Sequence, residues 1–235
     1  MKITGGDLVF FLLIIILYNN APETRCTLIS IEVMLRITLL FVTICLANAF
    51  VANNATEPGM MLTNLADILR KAGLNVTEVD GWKTRAHGPM TAIRSIICHD
   101  TAGPSTGDYP SLPIVRDGRP DLPGPLAQLG LGRSGTWFII AAGLSYHAGV
   151  VTDTTLYSNQ YAIGIEAEGT GIPATNTGHA YWPEKQYDSY LKGVRALMRA
   201  FEVPTVHVRG HKEIAYPAGR KIDPNFSMDE FRAAL

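Results

Sequence analysis

From about residue 62 onward, apolar positions recur along the chain with two different periods, and the period assigns the elements. In LTNLADILRKAG, Leu62, Leu65, Ile68 and Leu69 fall on one helical face, and Gly73 stands where a C-terminal cap belongs. PEKQYDSYLKGVRALMRAFE carries Tyr187, Tyr190, Leu191, Val194, Leu197, Met198 and Phe201 on one stripe. Pro183 suits its first turn, so the segment predicts a second helix. MDEFRAAL at the end predicts a closing helix. Between these, AIRSIIC, TWFIIAA, AIGIEAEG and TVHVR are β-branched or aromatic runs bounded by Gly, Pro and polar residues, which predicts strands. Strands interleaved with packing helices imply an α/β domain built on one sheet. There is no internal repeat and no low-complexity tract.

The first fifty residues show a different pattern. Leu8 to Tyr18 is wholly apolar but falls short of the roughly 20 residues a membrane-spanning helix needs. From Met34 the order is a positive residue (Arg36), an apolar run, then Ala47-Asn48-Ala49, which is the order of a secretory signal peptide. The expected plan is a hydrophobic leader over 1–49, a polar linker over 50–60 and a catalytic-sized domain over 61–235. On this plan the product is secreted. The alternatives are a membrane anchor made by the two apolar runs, and a cytoplasmic protein translated from Met60 or Met61. Asn54, Asn75 and Asn225 open triplets that match the glycosylation acceptor pattern, which matters only in a eukaryotic secretory route.

Composition narrows the partners. A chain of 235 residues, 47% hydrophobic and 17% charged, buries one good core. A net charge of −1 supplies no broad positive field, which excludes a nucleic-acid partner held by phosphate neutralisation. Of three cysteines, Cys26 and Cys45 precede the domain and only Cys98 falls within it, so no disulfide framework holds the body together.

Candidate chemistry gathers where strands end. SIICHDTAG puts His99 at the end of an apolar run, with Thr101, Gly103 and Pro104 behind it. GHKEIAYPAGRKIDP brings His211, Lys221 and Asp223 into one irregular loop after the TVHVR strand. Two imidazoles and a carboxylate are a donor set for zinc, which in hydrolytic sites takes three protein ligands and keeps one position open. Lys221 lies two residues before Asp223, so in an extended segment the two side chains point the same way. On residue types alone each member has an ordinary alternative: a hydrogen-bonded surface histidine, or an exposed Lys–Asp pair. His87 and His179, in polar loops, read as solvated. His207 reads as satisfying a hydrogen bond. Along AIGIEAEG, Gly164, Glu166 and Glu168 point one way; Gly164 leaves space beside Glu166, and Glu168 reads as a solvated carboxylate.

Taken together, IICHDTAG, SYHAGV, YAIGIEAEGTG and GHKEIAYPAGRKIDP resemble the zinc-dependent N-acetylmuramoyl-L-alanine amidases of the peptidoglycan recognition protein superfamily, in order and approximate spacing from about Ile93 to the C-terminus. Actinobacterial phage endolysin amidase domains are the most similar branch, and GRKIDP also resembles the anhydromuropeptide amidases. The resemblance implies a single central mixed β-sheet flanked by helices and one zinc ion held by His99, His211 and Asp223. It further implies that Glu166 is the catalytic glutamate, that Lys221 is the active-site lysine, and that His147 and Thr101 bind substrate. In some phage amidases a catalytic tyrosine stands where this chain has Thr136, which leaves the general-base role to Glu166. The implied reaction is hydrolysis of the amide between the lactyl group of N-acetylmuramic acid and L-alanine, with peptidoglycan or muropeptides as partners of a monomer. The alternative within the same fold is a receptor that binds muropeptides without cleaving them.

Overall fold

The computed structural model describes residues 59–235 together with Arg36, Leu39 and Leu40; the expected signal peptide lies outside the described residues apart from those three. The chain divides into two units, Met1–Thr56 and Glu57–Leu235, and the sheet with its candidate site belongs to the second.

The domain is built on a six-stranded mixed sheet. Its strands are β1 (Val76–Glu78), β2 (Ser95–Asp100), β5 (Leu129–Leu131), β6 (Trp137–Ile139), β7 (Ala162–Ala167) and β8 (Val208–Gly210), in the order β1-β6-β5-β7-β2-β8. Only the β5–β6 pair is antiparallel. A separate hairpin, β3 (Gly118–Arg119) with β4 (Leu122–Pro123), comes after a short helix, α2 (Leu112–Asp117). The other helices are α1 (Leu65–Lys71), α3 (Glu184–Phe201), α4 (His211–Ile214) and α5 (Met228–Ala233).

The predicted elements are present with shifted ends. The AIRSIIC strand begins at Ser95 and runs on through His99 to Asp100, and every residue of it is buried because β7 and β8 flank it and both faces are covered. TVHVR splits into a 3-10 turn over Thr205–His207 and the short β8, and His207 Nδ1 lies 3.1 Å from the Arg94 carbonyl, the expected satisfied histidine. Strands β1 and β5 are additions to the predicted set. Three residues carry too little periodicity to show in a sequence, and their pairing partners are what make them strands.

One face of the sheet packs on α1, α3 and α5. The α3 stripe buries Tyr187, Tyr190, Leu191, Val194 and Leu197 against Ile96, Cys98, Ile163 and Ile165. Gly193 lies against the Trp137 ring, whose Nε1 donates to Ser189 Oγ at 3.0 Å. An aromatic cluster then ties the C-terminal segment to α3: Tyr187 and Phe226 meet edge-on at 5.4 Å, and Tyr190 and Phe231 at 5.3 Å. Fixing Phe226 fixes the loop just before it, which carries Asp223. On the opposite face a smaller cluster, including Ile97, Ala148, Val151 and Ile214, supports the functional loops.

Candidate metal centre and active site

Parallel pairing of β2 with β7 brings two distant residues side by side: His99 and Glu166 are direct partners in the register. Beyond β8, the chain enters α4 at His211 and returns as the irregular loop carrying Lys221 and Asp223. His99, Glu166, His211, Lys221 and Asp223 all line one cleft of ≈ 590 Å³, and His147 and Thr101 stand on its wall.

Three donor atoms converge within it. Ligand atoms of His99, His211 and Asp223 all lie within 4.8 Å of one another. Asp223 Oδ2 is 3.1 Å from His99 Nδ1 and 3.2 Å from His211 Nδ1. The far nitrogens are already committed. His211 Nε2 lies 3.0 Å from the Ala148 carbonyl, which only accepts, so that nitrogen carries the proton and a neutral ring turns a lone pair toward Asp223. His99 Nε2 faces His147 Nδ1 at 3.2 Å. Burial foremost, then neighbouring His211, pushes His99 down to about 4, so its ring is neutral at physiological pH. Two imidazole lone pairs and an ionised carboxylate aimed at one point repel unless a cation lies between them, so the donor set fits a metal ion.

Glu166 sits beside this triad. Its Oε1 is 3.9 Å from His99 Nδ1, its side chain is 17% exposed, and its Oε2 is buried without a hydrogen-bond partner. Burial, then the nearby charges of Asp223 and Asp100, push its carboxyl well above the usual range, so the group is primed to hold a proton.

Several supports were not legible in the sequence. Asp100, buried behind the site, accepts from Ala102 N at 3.1 Å and from Asn225 N at 3.1 Å, and burial followed by Asp223 pushes its carboxyl up to about 6. Lys212 Nζ donates to the carbonyls of Thr175, Pro224 and Phe226, and its backbone N–H donates to Asp223 O at 2.8 Å. Together they clamp the loop at Asp223 and over the residues that follow it. Polar residues beside metal-site candidates were the available signal, but nothing local shows which carbonyls a lysine will reach.

Some expectations are corrected. Glu168 is fully buried rather than solvated, accepting from Thr101 Oγ1 at 2.9 Å and from Ser111 N and Oγ at 3.0 Å each, because the loop after β2 folds over the end of β7. The Thr101 hydroxyl is therefore turned into the protein even though the residue lines the cleft. Gly164 makes room for His147 rather than for Glu166, since a Cβ there would lie 2.5 Å from the His147 ring. His87 stacks on Tyr146 at 3.6 Å and His179 on Tyr187 at 3.8 Å, so neither is freely solvated.

A family model described as N-acetylmuramoyl-L-alanine amidase matches residues 89–226, a span that contains every residue of the triad as well as Glu166 and Lys221. The chain belongs to that amidase family. It is thus a hydrolase of the amide that joins N-acetylmuramic acid to L-alanine in peptidoglycan. Among solved structures, this amidase is similar to a selenomethionine derivative of AmpD at 22% identity, with a TM-score of 0.48 over 61% of this chain and 85% of that one. It is also similar to the endolysin amidase LysCS from Clostridium intestinale, at 18% identity with a TM-score of 0.44 over 68% of this chain and 93% of that one. A third is AmiD from E. coli in complex with a substrate, anhydro-N-acetylmuramic acid-L-Ala-D-gamma-Glu-L-Lys, at 17% identity with a TM-score of 0.48 over 64% and 60% of the two chains. No curated protein matches significantly.

Proposed function

We propose that this amidase works with one zinc ion held by His99, His211 and Asp223, and that it cleaves muropeptides or peptidoglycan as a secreted monomer. The observation that carries the reading is the convergence of three donor atoms, two of them lone pairs whose ring partners are already engaged. Zinc bound there supplies Lewis acidity, polarising the scissile carbonyl and lowering the pKa of a bound water toward about 7.

The other steps belong to side chains of this chain. Glu166, next to the triad and short of hydrogen-bond partners, takes the proton of the attacking water on Oε2 and returns it to the departing L-alanine nitrogen. The ammonium of Lys221 faces the same cleft and offsets the negative charge that develops on the lactyl oxygen. His147 and Thr101 line the wall against which the substrate lies. Exposed Ile114 and Ile172 at the cleft rim give the peptide stem an apolar edge.

Elemental analysis of active protein, combined with mass analysis of products from defined muropeptides, tests this. The expected result is one zinc per chain and free stem peptide beginning at L-alanine, with both lost in His211→Ala and Asp223→Ala. Variants that kept stoichiometric zinc and cleavage would refute the ligand assignment.

A further inference from the structure

The two candidate ligand histidines are oriented from consecutive residues. His211 Nε2–H donates to the carbonyl of Ala148 at 3.0 Å, and His99 Nε2 meets the ring of His147, the residue just before it. On its far side, His147 Nε2 lies 3.1 Å from the Ala162 carbonyl. A carbonyl only accepts, so His147 Nε2 carries the proton and its Nδ1 offers a lone pair. His99 Nε2 must then be the donor, which leaves His99 Nδ1 as the lone pair facing Asp223.

The segment is itself held in place. Asn159 Oδ1 accepts from both His147 N at 3.0 Å and Ala148 N at 2.8 Å. Gly164 opens the space the His147 ring fills, and its own N–H is held by Gln128 Oε1 at 2.8 Å. His147 is buried, with 7% of its surface exposed, so no competing solvent hydrogen bond resets the ring.

We propose that His147 is a positioning residue that, by accepting the Nε2–H of His99, fixes the His99 tautomer whose Nδ1 lone pair points to the metal position. This rests on the reading of His99, His211 and Asp223 as the metal ligands. It assigns to His147 a task beyond lining the substrate wall: an interaction that orients a ligand from behind, whose loss in metal sites typically costs about 10- to 100-fold in affinity.

The test uses the full chain and zinc alone. Zinc dissociation constants are measured by competition with a chromophoric chelator for wild type, His147→Leu and His147→Asn, and histidine tautomers are read from long-range ¹⁵N–¹H spectra of the metal-free wild type. Removing the acceptor in His147→Leu is expected to weaken zinc about 10- to 100-fold. In His147→Asn, a side-chain oxygen stands near the Nδ1 position and restores most of that loss. The metal-free wild type should show His99 as the Nε2–H tautomer. Unchanged zinc affinity in His147→Leu, or a protonated Nδ1 on neutral His99, overturns the proposal. If His147→Leu fails to fold, the Asn variant and the wild-type spectrum still decide. His99→Ala and His211→Ala run alongside: if they keep zinc, the ligand reading fails, whereas if they lose it and His147→Leu does not, only the role of His147 fails.

Discussion

His99 and Glu166 are direct partners across the parallel β2–β7 pair, and Glu166 Oε1 lies 3.9 Å from His99 Nδ1. The ladder therefore sets how far the proposed general base stands from a proposed metal ligand. Because side chains alternate along a strand, a one-residue slip of β7 would turn Glu166 to the helix-covered face, where Ile163 and Ile165 pack. The buried pattern of β7 thereby guards the placement of Glu166.

Glu166→Gln separates chemistry from stability. Hydrolysis should fall about 10²- to 10⁴-fold while zinc is retained. The folded carboxyl titrates well above the usual range, with burial the main cause. A group shifted in that direction favours the fold below its unfolded pKa and loses that contribution as pH rises through its folded pKa. Metal-free Glu166→Gln should therefore resist urea better than metal-free wild type at neutral pH, with the difference shrinking toward acid pH. Normal turnover would remove Glu166 from the base role.

Lys221→Met should lower kcat by about 10²- to 10³-fold, with little change in zinc content, because the charge it is proposed to offset develops only in the transition state. Steady-state kinetics on a defined muropeptide measure this. A change confined to KM would make Lys221 a substrate-binding residue instead.

Tyr190→Phe probes the link between α3 and the site. The Tyr190 hydroxyl accepts from His99 N at 3.2 Å and donates to Ile165 O at 3.2 Å, both deep in the core. Deleting it leaves the His99 N–H and the Ile165 carbonyl to each other across the β2–β7 ladder and removes only the bridging hydroxyl, at an expected cost of about 0.5–1.5 kcal/mol in urea unfolding. A loss below about 0.5 kcal/mol, the range of surface changes, would mean that the hydroxyl adds nothing to the ladder bond it bridges.

Gly193→Ala tests the close approach of α3 to β6. A Cβ there would run into the Trp137 ring, which is fully buried and tied to Ser189. Overpacking of this kind costs about 1–3 kcal/mol, although alanine is the better helix former, and thermal unfolding reports the sign. A stabilised variant would show that Trp137 has room to shift.

The leader is tested by N-terminal sequencing of the secreted product, which should begin near Phe50, after Ala47-Asn48-Ala49. A product starting at Met1 or Met61 contradicts the signal-peptide reading. Among the described residues no helix is long and apolar enough to cross a membrane.

Much of the site is visible in the chain because its members stand in short contiguous motifs. The α3 stripe is visible for the same reason, since a period of 3.6 is a local property. Glu168 defeats the sequence reading because alternation tells which face of a strand a residue occupies but not what later covers that face. The loop carrying Ser111 covers it here. Lys212 and Asp100 give no local signal because their partners, the carbonyls of Thr175 and Phe226 and the N–H of Asn225, are far along the chain or belong to the backbone.

Residue order alone therefore determined the α/β alternation, the main helices, the family and the candidate donor types, because each depends on side-chain chemistry at fixed local spacing. Only the tertiary structure decided that His99 and Glu166 share a rung, that the donor atoms converge on one point, and that His147 stands behind His99. Those relations come from sheet register and loop closure across more than a hundred residues, where the free energy of packing the whole core, rather than any local preference, selects the geometry.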